Sequence, residues 1–361
     1  MKYQKAMEVV RQAVAQGKII CASAAVWDSE NGIEQGAFGV LSPSLKQAAD
    51  TETRFDLASL TKVVVTTPLL LGLSEKGKLS LSDRVCRYFP GFVCHGKGEI
   101  TLLDLAVHIS GLPGIYDFTK DCRSTQDAVK IICDLPVKED RRRRVEYSDL
   151  GFILLGAIVE KVNGETLPDL AQREIFRPLG MTRTGYLPKP GNIACTEFFP
   201  DLGDCLCGMV HDENTRAFGG VSGHAGLFGT AEDICRYGQA LVTGKTPSGG
   251  KFLSVSSRFV MRTSFTIGLS GTGGLPGQGR AVGFQVNYPK SGEMPPESNG
   301  AGESMSENAF GHTGFTGTSL WMEPELRRVF VLLTNRVCPS RNNPSVFRLR
   351  RDFHNAALQI Q

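Results

Sequence analysis

The chain has 361 residues, 41% of them hydrophobic and 21% charged, and its 40 lysines and arginines against 37 acidic residues give a net charge of +3. This composition is typical of an ordinary globular protein and excludes disordered and collagen-like chains, while the near balance of charge argues against nucleic acid as a partner. The length favours one large domain or two interleaved domains.

The cysteines and the N-terminal segment bear on location. Ten cysteines are scattered along the chain, which is typical of free thiols in a reducing compartment. The apolar stretch 19–27 follows charged and polar residues, so it indicates a strand rather than a secretion signal. No run reaches the roughly 18 apolar residues of a membrane span. We therefore predict a cytoplasmic protein without a membrane span.

The first 40 residues indicate a helix followed by a hairpin. Apolar residues recur at helical spacing up to Gly17, which ends the helix. Two strands, 19–27 and 33–40, then flank Asn31-Gly32, a strong hairpin signal. The chain thus opens helix, strand, strand.

Helical patterns dominate the middle of the chain. The first predicted helix runs over 59–75 and contains Pro68, which predicts a kink. Further helices are predicted over 102–108, 126–133 and 148–162.

Strand patterns return after a predicted helix at 236–242. Gly/Ser/Pro-rich loops are predicted at 244–250, 269–279 and 289–302, with strands at 283–288, 318–322 and 328–334 and a closing helix at 344–360. Strands from both ends with helices between them predict an α+β fold, an antiparallel sheet flanked by helices with an inserted mainly helical domain. We expect the sheet domain in residues 1–58 and 226–361 and the helical domain in 59–225.

Several catalytic and cofactor signatures are absent. The sequence has no phosphate-binding loop, no α/β-hydrolase nucleophile elbow and no HExxH helix. His211, Asp212 and His224, with Cys205 and Cys207 close by, suggest a metal site, but they match no zinc spacing. We expect neither cofactor nor metal, and hydrogen-bonding roles for the two histidines.

A Ser-x-x-Lys tetrad occurs twice, at Ser59–Lys62 and at Ser248–Lys251. Only Ser59 stands at a predicted helix start, which places Lys62 one turn away on the same face. Lys62 could take the serine proton if burial and nearby positive charge lowered its pKa. The alternative is a helix-capping serine beside a surface lysine.

Two further motifs have suitable chemistry. Tyr147-Ser148-Asp149 stands at a predicted helix start, where a phenol could share the lysine's proton. His312-Thr313-Gly314 leads into the last hairpin and would line a strand edge with an imidazole and small residues.

These three motifs, in this order, resemble the serine hydrolases of the penicillin-recognising superfamily, which include class C β-lactamases, D-alanyl-D-alanine peptidases and related esterases. Phrases such as Phe55-Asp-Leu-Ala-Ser59 and His108-Ile-Ser-Gly-Leu-Pro113 are also similar, and the resemblance runs from about residue 5 to the end. Segments 210–228 and 311–321 are similar to the subgroup with penicillin-binding protein 4B and cytoplasmic muropeptide amidases.

The resemblance implies roles for the reacting residues. Ser59 would be the acylated nucleophile, Lys62 its base or proton relay, and Tyr147 the acid/base partner. Asp149 stands where many relatives carry Asn, and His312 stands in the place of a lactamase lysine.

The resemblance also implies how substrate is held. Thr313 and Gly314 would line the substrate edge, and the backbone N–H groups of Ser59 and Phe315 would form the oxyanion hole. The active site would lie between the two domains.

The resemblance implies a serine hydrolase that forms an acyl-enzyme on amide or ester bonds, with cell-wall-derived peptides or muropeptides as substrates. A class C-like β-lactamase is the alternative, which Asp149 and His312 disfavour. A non-catalytic binding protein of this fold is a second alternative. The sequence leaves the oligomeric state open.

The run Arg141–Arg144 precedes Tyr147 by a few residues. If Tyr147 is at the site, these arginines would lie near its mouth and could attract anionic substrates. The alternative is a solvated loop without a role.

Overall fold

The computed structural model describes residues 2–271, 277–288 and 300–359. The predicted loops at 269–279 and 289–302 lie in part, at 272–276 and 289–299, outside the described residues.

The core of the fold is a six-stranded antiparallel sheet whose strands come from both ends of the chain. Its order is β2-β1-β11-β10-β9-β8, and a smaller sheet has the order β3-β7-β4. The strands are β1 Cys21–Asp28, β2 Gly32–Gly39, β3 Phe55–Asp56, β4 Gly185–Tyr186, β5 Phe198–Phe199, β6 Asp204–Cys205, β7 Leu227–Gly229, β8 Gln285–Val286, β9 Phe310–Thr313, β10 Ser319–Glu323 and β11 Arg328–Thr334.

Helices cover both faces of the large sheet and fill the middle of the chain. They are α1 Gln4–Ala15, α2 Thr67–Glu75, α3 Leu102–Ala106, α4 Thr125–Asp134, α5 Asp149–Asn163, α6 Leu167–Ala171, α7 Arg177–Leu179, α8 Glu213–Ala217, α9 Ala231–Thr243, α10 Val255–Val260 and α11 Ser345–Leu358. Short 3₁₀ segments lie at Val85–Arg87, at Pro90–Gly96, which is interrupted by a kink at Cys94 and His95, and at Pro200–Leu202. π-Helical turns lie at Lys62–Thr66 and Gln172–Phe176.

Strand β11 shows why the sheet must be covered on both faces. Phe330 and Leu332 are buried in the cluster that α1 and α11 share with one face. Val329 and Val331, which point the other way because side chains alternate along a strand, are buried in the main core, which includes α9. The architecture is the α+β fold predicted from the sequence, an antiparallel sheet flanked by helices. The division at residues 58/59 and 225/226 stays a prediction.

The helix after Ser59 contains a π-helical turn rather than a simple kink. The turn Lys62–Thr66 precedes Pro68, which lies at the start of α2. A proline has no N–H to donate within the helix, and the main-chain N–H of Thr67 and its hydroxyl both bond to the carbonyl of Lys62. The wider turn therefore gives the main-chain carbonyl of Lys62 its hydrogen-bond donors.

One cysteine prediction is wrong. Cys195 and Cys207 form a disulfide, whereas the other eight cysteines are free thiols. Hydrogen bonds join Thr196 to Leu206 across two neighbouring segments, which bring the cysteine pair together in a way that sequence spacing does not reveal. Within the described residues, no helix is long and apolar enough to cross a membrane.

Candidate active site

A cavity of about 510 Å³ lies beside the N-terminal end of the Ser59 helix and the edge of the large sheet. Seven of the eight residues predicted for the site line this cavity: Ser59, Tyr147, Asp149, His312, Thr313, Gly314 and Phe315. The eighth, Lys62, lies directly behind Ser59, to which it is hydrogen-bonded. The structure thus brings together three motifs that are far apart in the sequence.

Ser59 is positioned by a tight turn between β3 and its helix. Ala58 has a φ of 46°, a left-handed conformation that is costly for a residue with a side chain. The carboxylate of Asp56 accepts from the Ala58 N–H at 2.8 Å, and Thr316 and Thr318 donate to the carbonyls of Asp56 and Leu57. These bonds fix the serine turn to the segment that follows β9.

Lys62 is fully buried, and its ammonium has three acceptors. It donates to Ser59 Oγ at 2.9 Å and to the carbonyl of His224 at 3.1 Å, and it pairs with Asp149 Oδ1 at 2.7 Å. Burial lowers the pKa of Lys62, but the charge of Asp149 and the interaction with Tyr147 raise it, and the net direction is upward. The condition set for Lys62 as a base, a pKa lowered by burial and nearby positive charge, is therefore not met in the resting protein, because the charged group beside it is a carboxylate.

Tyr147 and Asp149 are held by the start of α5. Ser148 caps the helix, donates its hydroxyl to the carbonyl of Pro113 at 2.6 Å, and donates its N–H to His108 Nδ1 at 3.1 Å. The Tyr147 ring centre lies 5.0 Å from Lys62 Nζ and 5.2 Å from the guanidinium carbon of Arg280. The Tyr147 ring thus lies close to two cations, and the carboxylate of Asp149 pairs with one of them, Lys62.

Two buried histidines face the Tyr147 ring. The ring centres of His108 and His312 lie 4.6 and 5.8 Å from that of Tyr147. Burial, reinforced by the positive charges of Arg280 and Lys62, holds the pKa of both histidines well below the usual range. Both imidazoles are therefore neutral at neutral pH, so His312 adds no positive charge to the cavity.

The sheet edge forms the opposite wall of the cavity. Gly314 leaves no room for a side chain, because an added Cβ would lie 2.1 Å from Thr318 Oγ1 and 2.6 Å from the carbonyl of Leu57. The Phe315 side chain is 49% exposed and lies against His211 and the guanidinium of Arg336. In the described part of the chain, the N–H groups of Ser59 and Phe315 donate no hydrogen bond, so both remain available for a ligand.

The cavity wall is rich in arginine. Arg280, Arg336 and Arg350 line it and are buried. Their hydrogen bonds go to the Gln278 side chain and to main-chain carbonyls such as those of Gly314 and Phe315, and among the described residues none of the three has a carboxylate within ion-pair distance. Burial lowers the pKa of Arg280 to about 10 and that of Arg350 to about 9. All three still carry positive charge at neutral pH.

The run Arg141–Arg144 does not line the cavity. Arg142 pairs with Asp104 at 2.6 Å, and Arg144 pairs with Asp140 at 3.4 Å. The hypothesis that these arginines lie near the mouth of the site and attract anionic substrates therefore stays a prediction, beside the alternative of a solvated loop. Ser248 does not line the cavity either, and its hydroxyl is hydrogen-bonded to that of Thr246 in an exposed loop.

His211 and His224 do form hydrogen bonds beside the site. His211 Nε2 lies 3.0 Å from Glu197, and His224 lies between Ser222 and Asp212. Ligand atoms of Asp149, Asp212 and His224 lie within 4.8 Å of one another, as a metal site would require. However, the ammonium of Lys62 already binds Asp149 there, and Asp212 caps α8, so hydrogen bonds and charge pairing account for the group.

Some cavity residues carry no signal in the sequence. Arg280, Arg336 and Arg350 belong to none of the three motifs and reach the cavity only through the fold. His108 does lie in a phrase similar to the family, but nothing in that phrase indicates that its ring packs on Tyr147.

Comparisons with known proteins agree with this architecture. The family model described as Beta-lactamase matches residues 7–355. An N-acetylmuramyl-L-alanine amidase of Bacillus subtilis (strain 168) is 33% identical over 331 residues, which cover 82% of this chain and 72% of the amidase.

Two solved structures are similar in fold. The hydrolase EstCE1, described as having promiscuous acyltransferase activity, gives a TM-score of 0.75 at 22% identity, with 98% of each chain covered. A penicillin-binding protein homologue from Caulobacter crescentus gives 0.76 at 19% identity and covers 98% of this chain and 97% of its own. At these identities the likeness shows the fold alone. With the family model matched over nearly the whole chain, this protein belongs to the beta-lactamase family.

Proposed function

We propose that the protein is a serine hydrolase whose Ser59 is acylated by amide or ester bonds of cell-wall-derived peptides or muropeptides. The observation that carries the proposal is the 2.9 Å contact between Lys62 Nζ and Ser59 Oγ in the wall of the cavity. A capping serine beside a surface lysine would not have its lysine fully buried against the hydroxyl.

In the proposed reaction, Ser59 Oγ forms a bond to the substrate carbonyl carbon and gives up its proton. Lys62, which is protonated at rest, first releases its own proton to solvent and then takes the proton of Ser59 as a neutral amine. Tyr147, whose ring lies 5.0 Å from the ammonium, is the group through which we propose that Lys62 passes the serine proton on to the leaving amine or alcohol. The bond to the amine or alcohol then breaks as that group takes a proton. Water releases the acyl group from Ser59 and restores the enzyme.

The oxyanion that forms on the carbonyl needs donors that point into the cavity. We propose that the N–H groups of Ser59 and Phe315 are these donors, because no acceptor in the described part of the chain occupies them. Each such donor is typically worth about 10²–10³ in rate.

The substrate is proposed to be anionic. Three buried arginines, Arg280, Arg336 and Arg350, surround the cavity without a carboxylate partner among the described residues. Buried charge is costly unless it is paired, so a carboxylate on the substrate would offset that cost. A peptide stem attached to a muramyl sugar has such groups, and the Bacillus subtilis relative is named for cleaving its amide.

A cytoplasmic location also stays a proposal, and the disulfide gives it a direct test. Cytosolic thiols are kept reduced, so Cys195, which is buried, and Cys207 should both be alkylated when cells are lysed directly into denaturant with an alkylating reagent, if the proposal is right. A disulfide that protects both residues in cells would contradict it.

The substrate proposal is tested with a panel of muropeptides, D-amino-acid amides, small activated esters and the cephalosporin nitrocefin. Amides or esters should be hydrolysed faster than nitrocefin. The reason is that His312 is neutral and that Asp149 has a carboxylate where many relatives are expected to have an asparagine side chain. Ser59→Ala should remove the activity, whereas Ser248→Ala should keep it. Rapid nitrocefin turnover would favour a β-lactamase, and a correctly folded protein inactive on the whole panel would favour a binding protein.

A further inference from the structure

The segment 222–225 lies against the helix that carries Ser59 and Lys62. The carbonyl of His224 accepts from Lys62 Nζ at 3.1 Å, and the carbonyl of Gly223 accepts from the Thr66 hydroxyl at 2.6 Å. Two consecutive carbonyls of this segment therefore bond to the helix that begins at the serine. One of them is an acceptor of the reacting lysine.

The His224 side chain is fixed at both ring nitrogens. Nδ1 lies 2.8 Å from Ser222 Oγ, and Nε2 lies 3.1 Å from Asp212 Oδ1 and 3.3 Å from Thr215 Oγ1. The residue is 1% exposed. Asp212 is itself held in place, because the same oxygen accepts from the Thr215 N–H at 2.7 Å and caps α8.

The ionisation of Asp212 favours its hydrogen bond with the His224 ring. Burial raises the pKa of Asp212, but the interaction with His224 and the hydrogen bonds from Thr215 together lower it, and the net direction is downward. The carboxylate is therefore ionised and accepts from the ring. The imidazole thus connects a fixed carboxylate on one side with the hydroxyl of its own segment on the other.

Close backbone contact limits the segment on its other side. A Cβ added to Gly223 would lie 2.3 Å from the carbonyl of Phe152 and 2.8 Å from the Cα of Gly156, both in α5. The segment is held between α5 and the His224 ring contacts. The carbonyl of His224 therefore cannot move away from Lys62 without breaking one of these contacts.

We propose that His224, held by Asp212 and Ser222, is a positioning residue that keeps its own carbonyl on the Lys62 ammonium and so aims the lysine at Ser59. The inference rests on the proposed function of Ser59 and Lys62. Asp149 attracts the ammonium from the other side at 2.7 Å. Without the carbonyl the lysine would turn toward Asp149, and a displacement of about 1 Å in such a site can cost about 10²-fold in rate.

The test is the kinetics of covalent labelling by a fluorophosphonate, separated into a binding constant and a maximal rate of labelling. His224→Ala should lower the maximal rate by about 10²-fold and leave the binding constant unchanged within about twofold. In a Lys62→Ala background the same substitution should have no further effect, since it acts through the lysine. The exposed control His95→Gln should keep the wild-type rate.

An unchanged labelling rate in His224→Ala, or a further loss of equal size in the Lys62→Ala background, would overturn the inference. So would a weaker binding constant at an unchanged maximal rate, which would make His224 a substrate contact. If His224→Ala does not fold, two other variants replace it in the test, Asp212→Asn and Ser222→Ala, and the same results are expected of them. Asparagine at position 212 is still suited to cap α8. Absence of labelling in the wild-type protein would instead refute the proposed function itself.

Discussion

The charge on Asp149 decides the resting state of the nucleophile pair. Its carboxylate lies 2.7 Å from the buried ammonium of Lys62 and, with Tyr147, gives the pKa of that lysine its upward direction against the effect of burial. Lys62 is therefore protonated in the resting protein. It must lose a proton before it can accept one from Ser59, so acylation should accelerate as the pH rises through the pKa of Lys62.

Asp149→Asn should move the pH dependence of acylation to lower pH. Removing the negative charge favours neutral Lys62, so the rising limb should shift down by the roughly 1–3 units typical of a close opposite charge. The measurement is the fluorophosphonate labelling rate from pH 5 to 10. Asp140→Asn, which removes a carboxylate that pairs with Arg144 and does not line the cavity, is the control and should leave the profile unchanged. A shift of the Asp149→Asn profile to higher pH would contradict the account.

For single residues, the sequence predicts which side chains form the candidate site better than it predicts whether they are protonated. Ser59, Tyr147 and His312 were predicted because each belongs to a short motif with recognisable chemistry. The raised pKa of Lys62 and the neutrality of His312 depend on burial and on Asp149 and Arg280. Those contacts join residues that are 32 to 87 positions apart in the chain and form only when it folds.

The contact between α5 and segment 222–225 connects packing to the site. Gly156 in α5 has no room for a side chain, because its Cβ would lie 2.7 Å from the Cα of Gly223. Gly223 is followed by His224, whose carbonyl binds Lys62. A substitution that pushes α5 and this segment apart should therefore displace the carbonyl that binds Lys62.

Gly156→Ala should lower both stability and the labelling rate. Overpacking of this kind typically costs about 1–3 kcal/mol, and the displaced segment should carry the His224 carbonyl away from Lys62. The control is Gly72→Ala in α2, where a Cβ would meet nothing within 4 Å. This control should gain the roughly 0.5–1 kcal/mol of a helical Gly-to-Ala change and label normally. Urea unfolding and labelling kinetics measure both variants, and a normal labelling rate in Gly156→Ala would contradict the proposed coupling.

Long periodic elements could be predicted from the sequence, whereas local departures from regular geometry could not. The helix expected at 148–162 is α5 at Asp149–Asn163, and the hairpin around Asn31-Gly32 joins β1 to β2. The π-helical turn at Lys62–Thr66 occurs where Pro68 has no N–H to donate and Thr67 donates both its N–H and its hydroxyl to the carbonyl of Lys62. A periodic pattern of apolar residues does not indicate such hydrogen bonds. The Cys195–Cys207 disulfide depends on which segments become neighbours.

Three histidines are buried in the uncharged state in the folded molecule. Burial, followed by the charge of nearby cations, lowers the pKa of His108 and His312 well below the usual range and that of His354 to about 3. The unfolded chain binds these protons with a pKa near 6.5. Below that pH the unfolded state therefore takes up more protons than the folded state does.

The free energy of unfolding should consequently fall as the pH drops below about 6.5. Each of the three histidines should contribute about 1.4 kcal/mol per pH unit well below that value, until its own folded pKa is reached. Urea unfolding at pH 7.5 and pH 5.5 measures the difference. His95→Gln, which alters an exposed histidine, should show the same pH dependence as the wild type. Equal stability at the two pH values would mean that the buried histidines are not neutral.

The overall architecture could be predicted because strands at both ends of the chain must share one sheet if their apolar faces are to be covered. The order β2-β1-β11-β10-β9-β8 puts the first strands directly beside the last. The arginine-lined cavity could not be predicted in this way. Arg280, Arg336 and Arg350 come from separate segments that meet only at the sheet edge.

The most direct test of the account is intact-mass spectrometry of the whole protein after exposure to a fluorophosphonate, followed by peptide mapping. We expect one adduct per chain, located on the peptide that contains Ser59, no adduct in Ser59→Ala, and full labelling of Ser248→Ala. An adduct that persists in Ser59→Ala, or that maps to another residue, would contradict the assignment of Ser59 as the nucleophile.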